Sequence, residues 1–300
     1  MTGASGATGG VFGRLPESAR RRVADVVVRI SPRLLVEPVV DVFGWAIATG
    51  MRRLRRPGVM RARENLRVVL GSEVPERVLA ASLRQYYEHW VSMLRMPALG
   101  VAGVSAAVDL TGVEHLPADR SAVLVSCHMG RYEWGSAALS TAIRERTGRG
   151  LLGVARVFGS PVTESVIHRV RAAGGNSEME WVDPSARSRT AAALMTRLRE
   201  GGVVGMMIDR YSVGATVEVP MFGRRVALAA APVALAVRTG SALLPMTCWV
   251  ARDGRVHFDV HPEISTSGTV SEVLESVAAV FEKEIAAHPE AWHVTSPVFR

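Results

Sequence analysis

The feature that most constrains the fold is an alternation, from residue 105 onward, of short apolar runs with longer segments of helical periodicity. The run Ala122–Cys127 has the length of a strand and carries no charge, so it predicts a strand buried on both faces. Ser185–Arg199 instead gathers its apolar residues on one helical face. Strands alternating with helices predict an α/β fold with a mixed, largely parallel central sheet flanked by helices.

Three regions follow from this pattern. Residues 1–15 are Gly/Ser-rich and predict a disordered tail, and residues 16–104 predict a helical, membrane-proximal region. Residues 105–300 predict the α/β core, with the helical region packed on it as one continuous domain. The other predicted strands are Leu151–Ala155, Val203–Ile208, Val217–Met221, Leu243–Val250 and Val256–Val260. The predicted helices of the core are Glu133–Ile143, Pro161–Ala173, Ser185–Arg199, Ala230–Arg238 and Ser271–Ala287.

The charge balance limits the kinds of partner that this protein is expected to bind. The 36 basic and 28 acidic side chains give a net charge of +8, and Lys283 is the one lysine among the basic residues. Such an excess predicts an anionic partner. Aromatic residues make up only 6% and form no basic-aromatic platform, which argues against nucleic acid. Two cysteines, Cys127 and Cys248, do not form a disulfide framework, and no secretory signal is visible, so we expect a cytoplasmic location.

The segment Leu34–Met51 is the most apolar part of the helical region. Glu37, Pro38 and Asp41 interrupt it, so its uncharged part is shorter than the roughly 18 residues that cross a bilayer. Because arginines flank it on both sides, we predict a helix lying on an anionic membrane face. A core helix with solvated ends is the alternative, and whether the segment inserts stays open.

A candidate active site follows the strand at Ala122–Cys127. His128 lies where this strand ends, and Glu133 lies five residues later where a helix begins. Open α/β sheets bind ligands at the carboxyl ends of their strands. We therefore predict that His128 is a general base and that Glu133 is the acid that orients it.

Arginines follow several of the predicted strands and suggest an anion-binding rim. Arg156 ends one strand, the pair Asp209 and Arg210 ends another, and Arg238 is the last residue of a short helix. The histidine pairs at 257/261 and 288/293 lack a convincing third zinc ligand, so no metal site is predicted.

These blocks resemble a known family. His128-x4-Glu133, Ile208-Asp209-Arg210, Pro220-Met221-Phe222-Gly223 and Leu235-Ala236-x-Arg238-Thr239-Gly240 occur in the same order in the bacterial acyltransferases of lipid A biosynthesis and in their relatives, the phosphatidylinositol mannoside acyltransferases. Arg63-Glu64-Asn65-Leu66 and His288-Pro289-Glu290-Ala291-Trp292 resemble an early and a terminal motif of the same family. The resemblance spans about residues 60–293.

The resemblance implies a glycerolipid acyltransferase-like fold and transfer of a fatty acyl chain from acyl carrier protein or acyl-CoA to a hydroxyl of an anionic membrane lipid or glycolipid. It implies that the reaction needs no cofactor and forms no acyl-enzyme. It also implies that the protein acts at the cytoplasmic face of the inner membrane. His128 and Glu133 would be catalytic, and backbone amides near Gly130 would bind the oxyanion. The implied substrate-binding residues are Arg131, Arg156, Asp209, Arg210, Phe222 and Arg238.

Alternatives remain at this stage. A lysophospholipid acceptor keeps the chemistry and changes the substrate, and a catalytically inactive membrane-surface binding protein keeps only the fold. The acceptor, the acyl length, the choice of donor and the oligomeric state stay open.

Overall fold

The computed structural model describes residues 36–54, 56–148, 150–156, 161–182, 187–210 and 214–299, with scattered positions between 16 and 30. The predicted tail at 1–15 lies outside the described residues. Within the predicted helical region, the described chain forms helices α1 (Glu37–Arg53), α2 (Pro57–Leu70), α3 (Glu76–Met93) and α4 (Met96–Ala106). The helical prediction for this region is therefore confirmed where the chain is described.

In the part of the chain that the structure describes, the core is built on a seven-stranded sheet. Its strands are β1 (Val108–Thr111), β2 (Ala122–Ser126), β3 (Leu152–Arg156), β4 (Met179–Val182), β5 (Val203–Met207), β8 (Ala242–Val250) and β9 (Val256–Val260), in the order β1-β9-β8-β2-β5-β3-β4. Every neighbouring pair is parallel except β8 and β9. The mixed, largely parallel sheet predicted from the sequence is confirmed.

Helices cover both faces of this sheet: α5 (Tyr132–Thr147), α6 (Pro161–Gly174), α7 (Arg187–Arg199), α8 (Ala231–Thr239) and α9 (Val270–Ala287). Strand β2 is buried throughout, which explains its unbroken apolar sequence. Its Ala122 and Leu124 pack in the cluster that contains α5, whereas Val123 and Val125 pack in the cluster that contains α8 and α9. The central strand is therefore fixed from both sides.

A separate hairpin was only half predicted. Strand β6 (Thr216–Met221) was expected, but its partner β7 (Arg224–Ala229) was not, since two arginines obscure the start of that strand. Phe222 and Gly223 join the two strands with φ values of 52° and 67°. Positive φ at both turn residues is typical of a type I′ hairpin turn. Strands β1 and β4, each four residues long, were also missed by the sequence analysis.

The segment after α9 returns across the carboxyl edge of the sheet. A short 3-10 helix (Pro289–Ala291) leads to Trp292, which pairs with Met129 in an antiparallel bridge. The amide of Gly130 donates to the Ala291 carbonyl at 2.9 Å, and the amide of His293 donates to the His128 carbonyl at 2.7 Å. The C-terminal segment therefore holds the loop that carries His128.

Helix α1 buries a narrow stripe and exposes large apolar side chains. Val40, Gly44 and Ala48 are buried at intervals of four residues, whereas Trp45 is 62% exposed and Phe43 is 52% exposed. Within the described residues, no helix has the length and apolar character needed to cross a membrane. Both cysteines are buried and unbridged, as the sequence predicts.

Candidate active site

The register of two neighbouring strands brings the key side chains together. In the parallel pair of β2 and β5, Ser126 lies opposite Met207. The amide of Ile208 still donates to the Ser126 carbonyl at 3.0 Å, so the alignment continues past the strand ends. His128 lies two residues after Ser126, and Asp209 lies two residues after Met207. Equal offsets from paired residues therefore place an imidazole beside a carboxylate.

The contact between these two residues is direct. The Nδ1 atom of His128 lies 2.6 Å from Oδ1 of Asp209. The main-chain amide of His128 donates to Oδ2 of the same carboxylate at 2.9 Å, and Nε1 of Trp292 donates to Oδ2 at 3.0 Å. Three donors thus hold the carboxylate, and it in turn fixes the imidazole ring. We call His128 and Asp209 the dyad.

Electrostatics keeps the Asp209 carboxylate charged. Burial alone would raise the pKa of Asp209, but the contact with His128 and the nearby positive charge of Arg210 outweigh it and hold that pKa at about 2. The favourable contribution of the ionised carboxylate to folding is present above its ordinary pKa and is lost only as the pH falls towards 2. The carboxylate is 4% exposed and the His128 side chain is 18% exposed, so the imidazole is the member of the dyad that solvent or substrate can reach.

The predicted partnership of His128 with Glu133 is wrong. Glu133 lies in the first turn of α5, but its side chain is buried against α6, where Nε of Arg171 donates to Oε2 at 2.8 Å. A second contact, from Nη2 of Arg171 to Oε1, makes the pair bidentate. No hydrogen bond joins Glu133 to His128 in the part of the chain that the structure describes. The physical reason is that α5 turns the Glu133 side chain towards the neighbouring helix.

The oxyanion role predicted for Gly130 also needs correction. Its amide is already donated to the Ala291 carbonyl, and its own carbonyl lies 3.0 Å from Nε2 of His293. Gly130 has a φ of 55°, and a Cβ there would come within 2.8 Å of the Cys248 carbonyl oxygen. Glycine is required for the close approach of this loop to β8.

The arginines predicted to bind substrate differ in their burial and in their neighbours. Arg210 follows Asp209 directly, and its Nε and one terminal nitrogen have no hydrogen-bond partner among the described residues. Arg131 is buried, which lowers its pKa, and it lines a cavity of about 500 Å³ together with Glu88 and Glu290. Arg156 is the last residue of β3, and its side chain lies outside what the structure describes.

The two remaining predicted substrate-binding residues lie on α8 and in the hairpin turn. Arg238 is exposed in the last turn of α8. That helix leads to Ser241, whose hydroxyl lies 2.6 Å from that of Ser121, just before β2 begins. Arg238 therefore belongs to the amino edge of the sheet, opposite His128, and its place in the rim is wrong. Phe222 forms the hairpin turn and packs edge-on against Phe299, with ring centroids 6.2 Å apart.

Aromatic and imidazole rings pack beside the dyad. The ring of Tyr132 lies edge-on to His128, with centroids 5.6 Å apart, and packs against His89 at 4.1 Å. Burial lowers the pKa of His89 and of His293 well below the usual value, so both rings are neutral near pH 7. Across the described ranges, no group of three or more His, Cys, Asp or Glu residues is placed to hold a metal ion.

Comparison with known proteins shows the family. Residues 23–300 match the family described as bacterial lipid A biosynthesis acyltransferase. The chain belongs to this family. It is 31% identical over 284 residues to the phosphatidylinositol mannoside acyltransferase of Mycobacterium tuberculosis (strain CDC 1551 / Oshkosh), with 91% of this chain and 85% of that protein aligned.

The phosphatidylinositol mannoside acyltransferase of Mycolicibacterium smegmatis is 28% identical over 286 residues, which cover 90% of this chain and 87% of that protein. The crystal structure of the 1-acyl-sn-glycerophosphate acyltransferase from Thermotoga maritima aligns with a TM-score of 0.39 and 16% identity, covering 80% of this chain and 98% of that one. Family membership makes this acyltransferase a lipid-biosynthetic O-acyltransferase.

Two motifs that lie far apart in the sequence of this acyltransferase are joined in the fold. Asn65 of the early motif is buried and donates its Nδ2 to the carbonyl of Val294 at 3.1 Å. It also donates to the carbonyl of Ser296 at 2.9 Å. The segment it holds begins with the terminal motif, whose Trp292 contacts Asp209. Sequence reasoning missed Asp209 as the partner of His128. The matching offset of the two residues from their strand ends identifies this pairing only once β5 is known to lie beside β2.

Proposed function

We propose that this acyltransferase moves a fatty acyl chain from a thioester donor, acyl-CoA or acyl carrier protein, to a hydroxyl of a membrane glycolipid, with His128 as the general base. The observation that carries the proposal is the contact between His128 Nδ1 and a buried, ionised Asp209. An imidazole held in this way has Nδ1 protonated and Nε2 available to accept a proton.

The chemical step needs no covalent enzyme intermediate. Nε2 of His128 takes the proton of the acceptor hydroxyl as its oxygen attacks the thioester carbonyl. The C–O bond forms, the tetrahedral intermediate collapses with cleavage of the C–S bond, and the imidazolium returns the proton to the departing thiolate. Asp209 stabilises the imidazolium during this sequence. Cys127 is no nucleophile in this scheme, because burial raises the pKa of its thiol far above the usual value.

Arg210 is our first choice for the anionic part of the donor or acceptor. Two of its nitrogens have no hydrogen-bond partner among the described residues, and it neighbours Asp209 along the chain. Arg131 lines the cavity beside α3 and is our choice for contacts with a polar head group. Arg156 stays a candidate from its position at the end of β3. Glu133 and Arg171 have a different role, since they tie α5 to α6.

The mycobacterial relatives support a glycolipid acceptor. Their names give phosphatidylinositol mannosides as what they acylate, and about nine-tenths of this chain aligns with them. We therefore propose a phosphorylated mannoside lipid ahead of a lipid A precursor or a lysophospholipid. No observation favours the catalytically inactive binding protein.

The exposed apolar side chains of α1 support docking on a bilayer. Val42, Phe43 and Trp45 are each more than half exposed, and Arg52 and Arg53 stand in the last turn. A helix with this composition lies at the interface of an anionic membrane, with its apolar side chains among the acyl chains. We propose that the protein works in this way on the cytoplasmic face of the inner membrane.

A reconstituted transfer assay tests the function. The purified protein is given palmitoyl-CoA or palmitoyl acyl carrier protein with one of three acceptors: a phosphatidylinositol mannoside, a lipid A precursor or lysophosphatidic acid. We expect acylated mannoside as the main product, and His128→Ala should slow its formation by about 10²–10⁴-fold or more. Near-normal turnover by His128→Ala would reject the general-base mechanism, whereas acylation of lysophosphatidic acid alone would reject the acceptor.

A further inference from the structure

The carboxylate of Asp209 has a third donor that the mechanism above does not use. Nε1 of Trp292 donates to Oδ2 at 3.0 Å, and this oxygen also accepts the main-chain amide of His128. Oδ1 is thereby left to face Nδ1 of His128. We propose that Trp292 is a positioning residue for acyl transfer, whose indole N–H fixes the rotation of the Asp209 carboxylate and through it the His128 ring. The proposal rests on the function proposed above.

Indole suits this task because its nitrogen can only donate. Trp292 is 3% exposed, and its ring meets Phe299 edge-on with centroids 5.9 Å apart, so packing limits its motion. Trp134 offers the contrast within the same chain. It is 2% exposed, yet its Nε1 has no hydrogen-bond partner among the described residues. One buried indole therefore fills space, whereas the other also orients a carboxylate.

The main chain around Trp292 is attached to the dyad loop. Trp292 pairs with Met129, and the residues on either side of Trp292 bond to the main chain of Gly130 and His128. Asn65 holds the following residues through two carbonyls. The same short segment thus fixes the backbone of the His128 loop and the side chain of Asp209. A shift of this segment would therefore displace both members of the dyad.

Removal of the indole N–H leaves a buried carboxylate oxygen with one donor in place of two. The carboxylate can then rotate away from the orientation that points Oδ1 at His128, and the imidazole spends less time aligned for proton transfer. Trp292 contacts no substrate in the proposed mechanism. We therefore expect a loss in kcat with little change in KM for donor or acceptor.

The test compares two equivalent substitutions at buried indoles. Trp292→Phe should lower kcat by roughly tenfold and leave both KM values within about twofold, in line with the loss of a hydrogen bond to a charged group. Trp134→Phe is the matched control, since it removes an N–H that has no partner, and it should keep the wild-type kcat. If Trp292→Phe folds poorly, 3-benzothienylalanine at position 292 removes only the N–H and keeps the ring shape.

A double-mutant cycle separates positioning from a general structural role. In an Asp209→Asn background, Trp292→Phe should cost less than about twofold in kcat, because the carboxylate on which it acts is gone. An undiminished kcat in Trp292→Phe, or the same tenfold loss with and without Asp209, would overturn the positioning role alone. Normal turnover by His128→Ala would instead overturn the function on which this inference rests.

Discussion

The carboxyl edge of the sheet and the interface between α5 and α6 each bury a carboxylate, but they pair it with different cations. At the sheet edge, Asp209 holds His128, whose imidazole can accept and return a proton and whose side chain is 18% exposed. Between the helices, Glu133 holds Arg171, which is permanently charged and 8% exposed. The first arrangement presents a base to a substrate. The second joins two helices and has no proton to transfer.

Strand register, and not closeness in sequence, decides which carboxylate meets His128. Glu133 is close to His128 along the chain, whereas Asp209 is 81 residues away and is brought to the histidine by strand register. Helix geometry turns a side chain through about 100° per residue, so five residues of spacing across a strand–helix junction say little about contact. Parallel register, by contrast, places equal offsets side by side.

The largest expected effect falls on the sheet edge. Asp209→Asn removes the charge that orients and stabilises the imidazole of His128, and it should lower kcat by about 10²–10⁴-fold while the protein stays folded. The measurement is steady-state transfer at saturating donor and acceptor, with circular dichroism as the control for folding. If Asp209→Asn kept more than about a tenth of the wild-type kcat, the carboxylate at the sheet edge would not be the catalytic one of the two.

The helix interface should respond in stability. Glu133→Gln leaves the Arg171 guanidinium buried without its counter-charge, so the free energy of unfolding should fall by about 3–5 kcal/mol. Urea denaturation measures this loss, and kcat per folded molecule should stay within about threefold of wild type. The double variant Glu133→Leu/Arg171→Met, which removes both charges, should recover most of the lost stability. A folded Glu133→Gln variant without turnover would contradict the assignment.

More of the fold than of the candidate site could be predicted from the sequence. Long apolar runs identified β2, β5 and β8, but β7 starts with two arginines and β4 has only four residues, so neither has an apolar pattern that stands out. His128 was located because it follows a recognisable strand. Its partner was not, because the pairing requires knowing that β5 lies beside β2, although β3 and β4 come between them in sequence. Strand order is a tertiary property that no local pattern encodes.

Two variants of α1 test membrane docking without changing the sheet edge or the interface between α5 and α6. Phe43→Ser and Trp45→Ser remove exposed apolar side chains, so each should weaken binding to anionic vesicles by about tenfold, and kcat on a detergent-dispersed acceptor should not change. Ala46→Ser, at an exposed position of the same helix, is the control and should bind as wild type does. Flotation with vesicles of phosphatidylglycerol measures binding. Equal binding by all four proteins would contradict the docking face.

The smallest expected effect concerns the buried rings near the dyad. Burial lowers the pKa of His89 and of His293 well below 6.5, so the unfolded chain binds more protons than the folded one below that pH. The free energy of unfolding should therefore fall as the pH drops below 6.5, by up to about 1.4 kcal/mol per pH unit for each histidine. In His89→Phe that slope should decrease by about one proton. An unchanged slope in urea denaturation between pH 6.5 and 5 would show that His89 protonates in the folded state.

The most direct test of the account observes the His128 Nδ1 proton by NMR in protein labelled with ¹⁵N-histidine. A proton held between an imidazole nitrogen and a buried carboxylate exchanges slowly and resonates far downfield of ordinary imidazole protons. We predict that this signal is present in the wild type and in Glu133→Gln, and is absent in Asp209→Asn. Loss of the signal in Glu133→Gln, with the signal intact in Asp209→Asn, would contradict the assignment of Asp209 as the partner of His128.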